Sequence, residues 1–137
     1  MSIDTTRIAL YTALKEGIEE GTPLVFDTIP DDDPITEGDQ LWLRCYLDPV
    51  DTFQHLIGTD SPLERTIGFL IIEIYDREEK GYADIFRMCD SIKPIFRRKH
   101  FNSGSLRTER MQIQDREPYK NWNSKAVMIH YTEDENI

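Results

Sequence analysis

Hydrophobic residues recur at helical spacing along two segments of the chain. From Thr5 to Glu20 they fall every three or four residues, with Gly21 as a stop after the last turn. From Lys80 to Arg98 the same spacing runs through aromatic and aliphatic positions, and Pro94 kinks or ends it. The pattern therefore predicts two amphipathic helices, one near each end of the first hundred residues.

Alternation with a period of two predicts the strands. The stretch QLWLRCYLDP alternates strictly, RTIGFLIIEIY is apolar on both faces, and SLRTERMQIQ and KAVMIHYT alternate more weakly. A short extended piece between Pro23 and Pro30 is limited to a sheet edge by its prolines. The elements then follow in the order helix, strand, strand, helix, strand, strand.

This order predicts an α+β domain with the succession α-β-β-α-β-β. We expect a mainly antiparallel sheet of about four strands, with the two helices on one face. A chain of 137 residues fits one domain and can bury roughly two thirds of the surface that its unfolded form exposes. Residues 1–137 are expected to form that single domain, with an acidic loop at 27–40, a polar loop at 48–64 and a flexible tail at 133–137.

The strand from Arg65 to Tyr75 raises the question of what covers its second face. Leu70, Ile72 and Ile74 can pack on the helices, which leaves apolar residues on the other side. An exposed apolar patch of several hundred Å² usually marks an association site. We therefore predict that this face packs on another copy of the chain, through Trp42, Tyr46, Phe69, Ile71 and Tyr75.

The charge of the chain is distributed unevenly. The net charge is −10, and residues 1–64 hold three basic against 14 acidic side chains, whereas residues 65–137 hold 13 basic against 12 acidic ones. A basic run, Arg97, Arg98 and Lys99, stands in the second half. Opposite charges on the two halves favour a head-to-tail contact between copies, of the kind that closes rings. Charge that is solvated and has no partner is the alternative.

The sequence contains few candidate catalytic, metal-binding or phosphate-binding motifs. The three histidines lack metal-ligand spacing, and the acidic run near Asp31 lacks the central Gly and terminal Glu of a calcium loop. No nucleophile elbow or phosphate-binding Gly-rich loop occurs, and Cys45 and Cys89 are expected to be reduced core residues. These observations predict a non-enzymatic protein without cofactor or metal.

Two further patterns bear on partners. The basic run is too short, and the chain too acidic, for sequence-independent DNA binding. No secretory signal begins the chain and no membrane-spanning run occurs in it, which predicts cytoplasmic synthesis. An enzyme using Glu73 with a neighbouring carboxylate stays open as an alternative, although a pairing of Glu73 with Arg44 across the sheet is the simpler expectation.

Several strings, in their order and spacing, resemble the tail terminator (tail completion, minor tail protein U-like) proteins of long-tailed bacteriophages and prophages. RIALYTALK resembles the opening helix of that family, and TPLVFDTIP its extended turn. LWLRCYLDP with IGFLIIEIYDREEKG resembles its hairpin leading into the second helix, and WNSKAVMIHYT its last strand. The loop VDTFQHLIGTDSPLE departs from the family, in which it is often shorter or richer in glycine and basic residues.

The resemblance implies a structural protein of the virion tail, assembled in the host cytoplasm as a hexameric ring. Such a ring ends tail-tube growth, meets the tail-tube protein and the head-tail connector, and lets DNA pass without binding it specifically. The subunit interface would use the second-face residues and Arg97, Arg98 and Lys99. Acidic residues would face the lumen or the tube, namely Asp31, Asp32, Asp33, Glu37 and Asp39.

Two other functions fit the same pattern. Another head-tail joining neck protein would share the ring but bind the head connector first. A monomeric acidic inhibitor or immunity-type protein would instead use its negative charge to cover a basic target.

Overall fold

A computed structural model describes residues 3–27, 40–56, 62–117 and 121–136 of the chain. Within these ranges it contains two α-helices, six strands and two single-turn 3-10 helices at Glu78–Lys80 and Asn102–Gly104. The helices are α1 (Ile3–Gly17) and α2 (Ala83–Phe96). The strands are β1 (Leu24–Phe26), β2 (Trp42–Leu56), β3 (Pro62–Arg77), β4 (His100–Phe101), β5 (Leu106–Asp115) and β6 (Trp122–Asn136).

The strands form one curled sheet, a half-barrel, in the order β1-β2-β3-β6-β5-β4. β1 pairs with β2 in parallel, and all the other pairs are antiparallel. β3 and β6 stand at the centre, and their register runs from Leu63 opposite Asn136 to Arg77 opposite Trp122. A bulge interrupts β2 between Pro49 and Asp51, and another interrupts β5 between Thr108 and Met111.

The predicted fold, an α+β domain with a sheet of about four strands and two helices on one face, is wrong in its class and in its number of strands. The described chain is mostly β and holds six strands in one mixed, curled sheet. The two additional strands are the short edge strands β1 and β4. The strand content is also higher than predicted, because β2 and β3 continue well beyond the apolar stretches that predicted them. Apolar and polar residues alternate only where one face of a strand is buried. A strand that extends beyond the core therefore loses this alternation, although its backbone still pairs with the neighbouring strand.

Two predicted irregular segments are also corrected. Residues 48–64, predicted as a polar loop, supply the outer halves of β2 and β3, apart from 57–61, which lie outside the described residues. The predicted flexible tail at 133–137 belongs to β6 as far as Asn136, and the side chain of Glu133 is buried. Glu133 accepts a hydrogen bond from the hydroxyl of Thr6 on α1, which ties this end of β6 to the helix.

The main core lies between the helices and one face of the sheet. Leu10 and Leu14 of α1 and Ile85 and Ile92 of α2 are fully buried there. The sheet contributes alternate residues of its central strands to the same cluster: Leu43, Cys45, Leu70, Ile72, Ile74, Val127 and Ile129. The predicted inward face of β3 is therefore confirmed. No helix in the described ranges is long and apolar enough to cross a membrane.

Candidate interaction surfaces

The second face of the sheet carries an aromatic cluster of its own. Trp42 on β2 stacks on Tyr75 of β3 with ring centroids 4.3 Å apart, and it meets Trp122 of β6 edge-on at 5.8 Å. The three rings form a second core, separate from the one beneath the helices. Burial raises the pKa of the Tyr75 hydroxyl to about 12, so this hydroxyl stays protonated and donates to Glu73 at 3.1 Å.

Glu73 lies at the middle of an ion cluster beside these rings. Arg44 stands opposite Glu73 in the β2–β3 register, and the two side chains approach to 3.6 Å. Arg116 reaches the other carboxylate oxygen of Glu73, also at 3.6 Å. The guanidinium of Arg44 lies over the rings of Trp42 and Tyr75, at 5.6 and 5.4 Å from their centroids. The predicted pairing of Glu73 with Arg44 is confirmed.

The chain itself buries most of the apolar patch that was predicted to meet another copy. Trp42 is 0%, Ile71 4% and Tyr75 5% exposed. Tyr46 and Phe69 are half-buried, and Phe69 packs edge-on against His130 at 4.3 Å between centroids. A neighbouring subunit on this face would therefore meet mainly Tyr46 and Phe69 rather than the whole predicted set.

The basic run follows the end of α2, and all three of its side chains are exposed. Arg98 has a positive φ of 48°, which turns the chain from the helix toward β4. Arg97 and Arg98 border a pocket of about 410 Å³ between α2 and β5. Its apolar floor is Phe96, Met111, Ile113 and Ile129, and its rim is Lys93, Arg97, Arg98 and Arg110. We call it the basic pocket.

The sequence reasoning did not find the role of Arg110 in this pocket. Arg110 stands at the bulge of β5, where its Nε donates to Nε2 of His130 at 3.2 Å. Burial and the charge of Arg110 lower the pKa of His130, so the ring is neutral and accepts that bond. The bulge had no signal in the alternation, because it adds a residue that breaks the period of two.

At the opposite side of the sheet, the outer half of β2 forms a second surface that the sequence reasoning missed. Asp48, Val50, Asp51 and Phe53 are exposed there, Val50 by 57% and Phe53 by 39%. We call residues 48–54 the acidic arm. Val50 and Phe53 stand among acidic residues in the sequence, and this could have indicated a surface strand. The segment was instead predicted to be a polar loop.

The predicted lumen residues Asp31, Asp32, Asp33, Glu37 and Asp39 lie outside the described residues. Within the described ranges, no group of three or more His, Cys, Asp or Glu side chains is placed to hold a metal ion. Cys45 and Cys89 are buried free thiols on the helix side of the sheet, as predicted, and burial raises the pKa of both.

No protein-family model matches the sequence, and no curated protein is significantly similar to it. Among solved structures, a chain with 14% sequence identity has a similar fold, with a TM-score of 0.67. The match covers 97% of this chain and 96% of the other. A likeness at this identity concerns the fold alone.

Proposed function

We propose that the protein is a non-enzymatic structural protein of a phage or prophage virion, a tail terminator that assembles into a ring at the head-proximal end of the tail. The ring binds the last ring of the tail tube through one surface and offers no equivalent surface to a further tube ring. Growth of the tube therefore ends, and the opposite surface of the terminator is presented to the head-tail connector.

The placement of charge is the observation that carries this proposal. The acidic arm belongs to β2, near one edge of the sheet, and the basic pocket borders β5, near the other. Two different and complementary surfaces on opposite sides of a subunit make a heterologous contact, which generates a ring when the rotation between subunits closes. A monomeric acidic inhibitor would bind a basic target through its acidic surface alone, so a second, basic surface favours the ring.

The strings that resemble the tail terminator family support the same proposal. RIALYTALK lies on α1, and LWLRCYLDP and IGFLIIEIYD lie on the paired strands β2 and β3. WNSKAVMIHYT lies on β6, at the centre of the sheet. The resemblance therefore follows continuous structural elements rather than scattered positions.

In this proposal the protein acts in the virion tail after assembly in the host cytoplasm, with the tail-tube protein and the connector as partners. DNA passes through the ring without specific binding, because an acidic lumen repels phosphate. Acidic side chains outnumber basic ones and give the chain a net charge of −10, which supports an acidic lumen.

The proposal is tested by the mass of the purified protein in solution and by its capture on tail-tube protein. Light scattering over a concentration series should give a mass near six times 16.1 kDa for the chain alone, or that mass plus the mass of the bound tail-tube protein when the two are mixed. Phe69→Asp, on the half-exposed part of the second face, tests the predicted subunit interface without removing a fully buried side chain. A chain that remains a monomer throughout and does not bind tail-tube protein contradicts the proposal.

A further inference from the structure

Two strand edges of the sheet are left without a partner strand in the described part of the chain. β1 pairs only with Leu43, Arg44 and Cys45 of β2, so the outer half of β2 has a strand on one side alone. β4 pairs only with Leu106 and Arg107 of β5, so β5 from Met111 to Asp115 is also an edge. Unpaired edges offer a row of backbone donors and acceptors to another chain.

The two edges differ in charge and match in apolar content. The acidic arm exposes Asp48 and Asp51 together with Val50 and Phe53. The edge of β5 exposes Ile113 by 51% and adjoins the four basic side chains of the basic pocket. None of those four has an ion pair with an acidic side chain within the described ranges.

The register places the acids of the arm on a definite side of the sheet. Asp48 stands opposite Phe69, and Asp51 stands opposite Ile67, so both acids point toward the second face. Arg110 contacts His130, which also lies on that face because it stands opposite Phe69 in β6. In a sheet continued from one copy into the next, the acids of the arm and Arg110 would therefore share a side, whereas Lys93, Arg97 and Arg98 lie with α2 on the helix side.

We propose that the acidic arm of one copy docks on the edge of β5 of a second copy, beside Arg110 at the margin of the basic pocket, joining the two sheets head to tail. The inference rests on the proposed self-association and goes beyond it by naming the two surfaces. Strand addition supplies backbone hydrogen bonds, and opposite charges select the pairing of unlike edges over like ones. The contact leaves each copy with one arm and one pocket unused, so it propagates until a ring closes.

Two charge-reversal variants test the pairing. The arm variant carries Asp51→Lys, and the pocket variant carries Arg110→Glu. Each alone should weaken assembly at least about tenfold, because it sets like charges against each other at the contact. Mixed in equal amounts, they should assemble again, since each lysine arm meets a glutamate pocket and each wild-type arm meets a wild-type pocket.

The matched controls are Glu16→Lys for the arm variant and Lys15→Glu for the pocket variant, which make the same changes in net charge at exposed positions outside both surfaces. Circular dichroism and urea unfolding establish that every variant is folded. Assembly is read as mass by light scattering and as capture on tail-tube protein.

The outcomes separate this inference from the proposed function. If the wild type assembles and both variants assemble equally well, the inference is overturned and the proposed function stands. Loss of assembly in each variant without recovery in the mixture also overturns the head-to-tail pairing. A wild type that neither assembles nor binds tail-tube protein contradicts both.

Discussion

The indole of Trp42 stacks on the phenol ring of Tyr75 across the β2–β3 pair, and both rings are buried in the single chain. The face of the sheet turned away from the helices is therefore a second small core rather than an open apolar patch. In the proposed assembly, a contact through this face would use its half-buried residues Tyr46 and Phe69.

Trp42→Ala should strongly destabilise the fold, because it leaves a cavity between Tyr75 and Trp122. We expect a loss of about 3–5 kcal/mol in the free energy of unfolding, measured by urea denaturation. Ile8→Ala, at a side chain of α1 that is 52% exposed, is the control and should change stability by less than about 0.5 kcal/mol. Equal effects of the two substitutions would contradict the second core.

Glu73→Ala should also be costly, because it leaves the buried charge of Arg44 without its carboxylate. Removing one member of a buried pair typically costs about 3–5 kcal/mol, whereas replacing both members with apolar residues is often tolerated. The double variant Arg44→Met, Glu73→Leu should therefore be more stable than Glu73→Ala in urea denaturation. A double variant less stable than the single one would contradict this expectation and show that Arg44 stabilises the sheet even without Glu73, through its contacts with the rings of Trp42 and Tyr75.

Stability should fall in acid partly through Asp134. Arg65 donates to this carboxylate at 2.7 and 3.0 Å and Arg107 at 3.1 Å, and these contacts lower its pKa in the folded state. Because the pKa of Asp134 is lower in the folded than in the unfolded chain, its ionised carboxylate stabilises the fold at pH values above the unfolded pKa of about 3.9. That stabilisation is lost as the pH falls through the pKa of the folded state.

Asp134→Asn should consequently flatten the dependence of the urea midpoint on pH below about 4. Asp115→Asn is the matched control, since Asp115 also contacts a cation, Lys125, but its own side chain is 87% exposed. If Asp134→Asn and Asp115→Asn give the same pH profile, the two arginine contacts contribute nothing to acid stability.

Gly68 of β3 stands opposite Pro49 at the bulge of β2 and opposite Tyr131 of β6. A Cβ added at Gly68 would stand 2.6 Å from the carbonyl oxygen of Asp48 and 2.8 Å from the hydroxyl of Tyr131. Gly68→Ala should therefore cost about 1–3 kcal/mol by overpacking. Val50→Ala, at an exposed residue of the same bulge, should have little effect in the same thermal or urea melt.

Parts of the fold were predictable because an element with one buried face has apolar residues at regular intervals in the sequence. The helical spacing of α1 and α2 and the inward face of β3 were read correctly, since each has one side in the main core. The pairing of Glu73 with Arg44 was also predictable, because a charge within an apolar strand needs a partner.

The other features of the fold and of the candidate surfaces had no periodic pattern in the sequence. Residues 48–54 of β2 are exposed on both faces, so their composition resembles that of a loop even though their backbone pairs with β3. The burial of Trp42 and Tyr75 depends on the curl of the sheet, which brings three strands' aromatic residues together. The pocket residue Arg110 depends on a bulge, and neither curl nor bulge has a fixed sequence pattern.

The central position of β6 has a consequence for how the chain folds. This strand is the last of the six to be synthesised, yet it stands between β3 and β5 and pairs with both. Until the ribosome has released it, β3 carries an apolar, unpaired edge and β5 has almost no partner, so the sheet forms late through contacts distant in sequence. The nascent chain is therefore most exposed to aggregation just before residues 122–136 emerge.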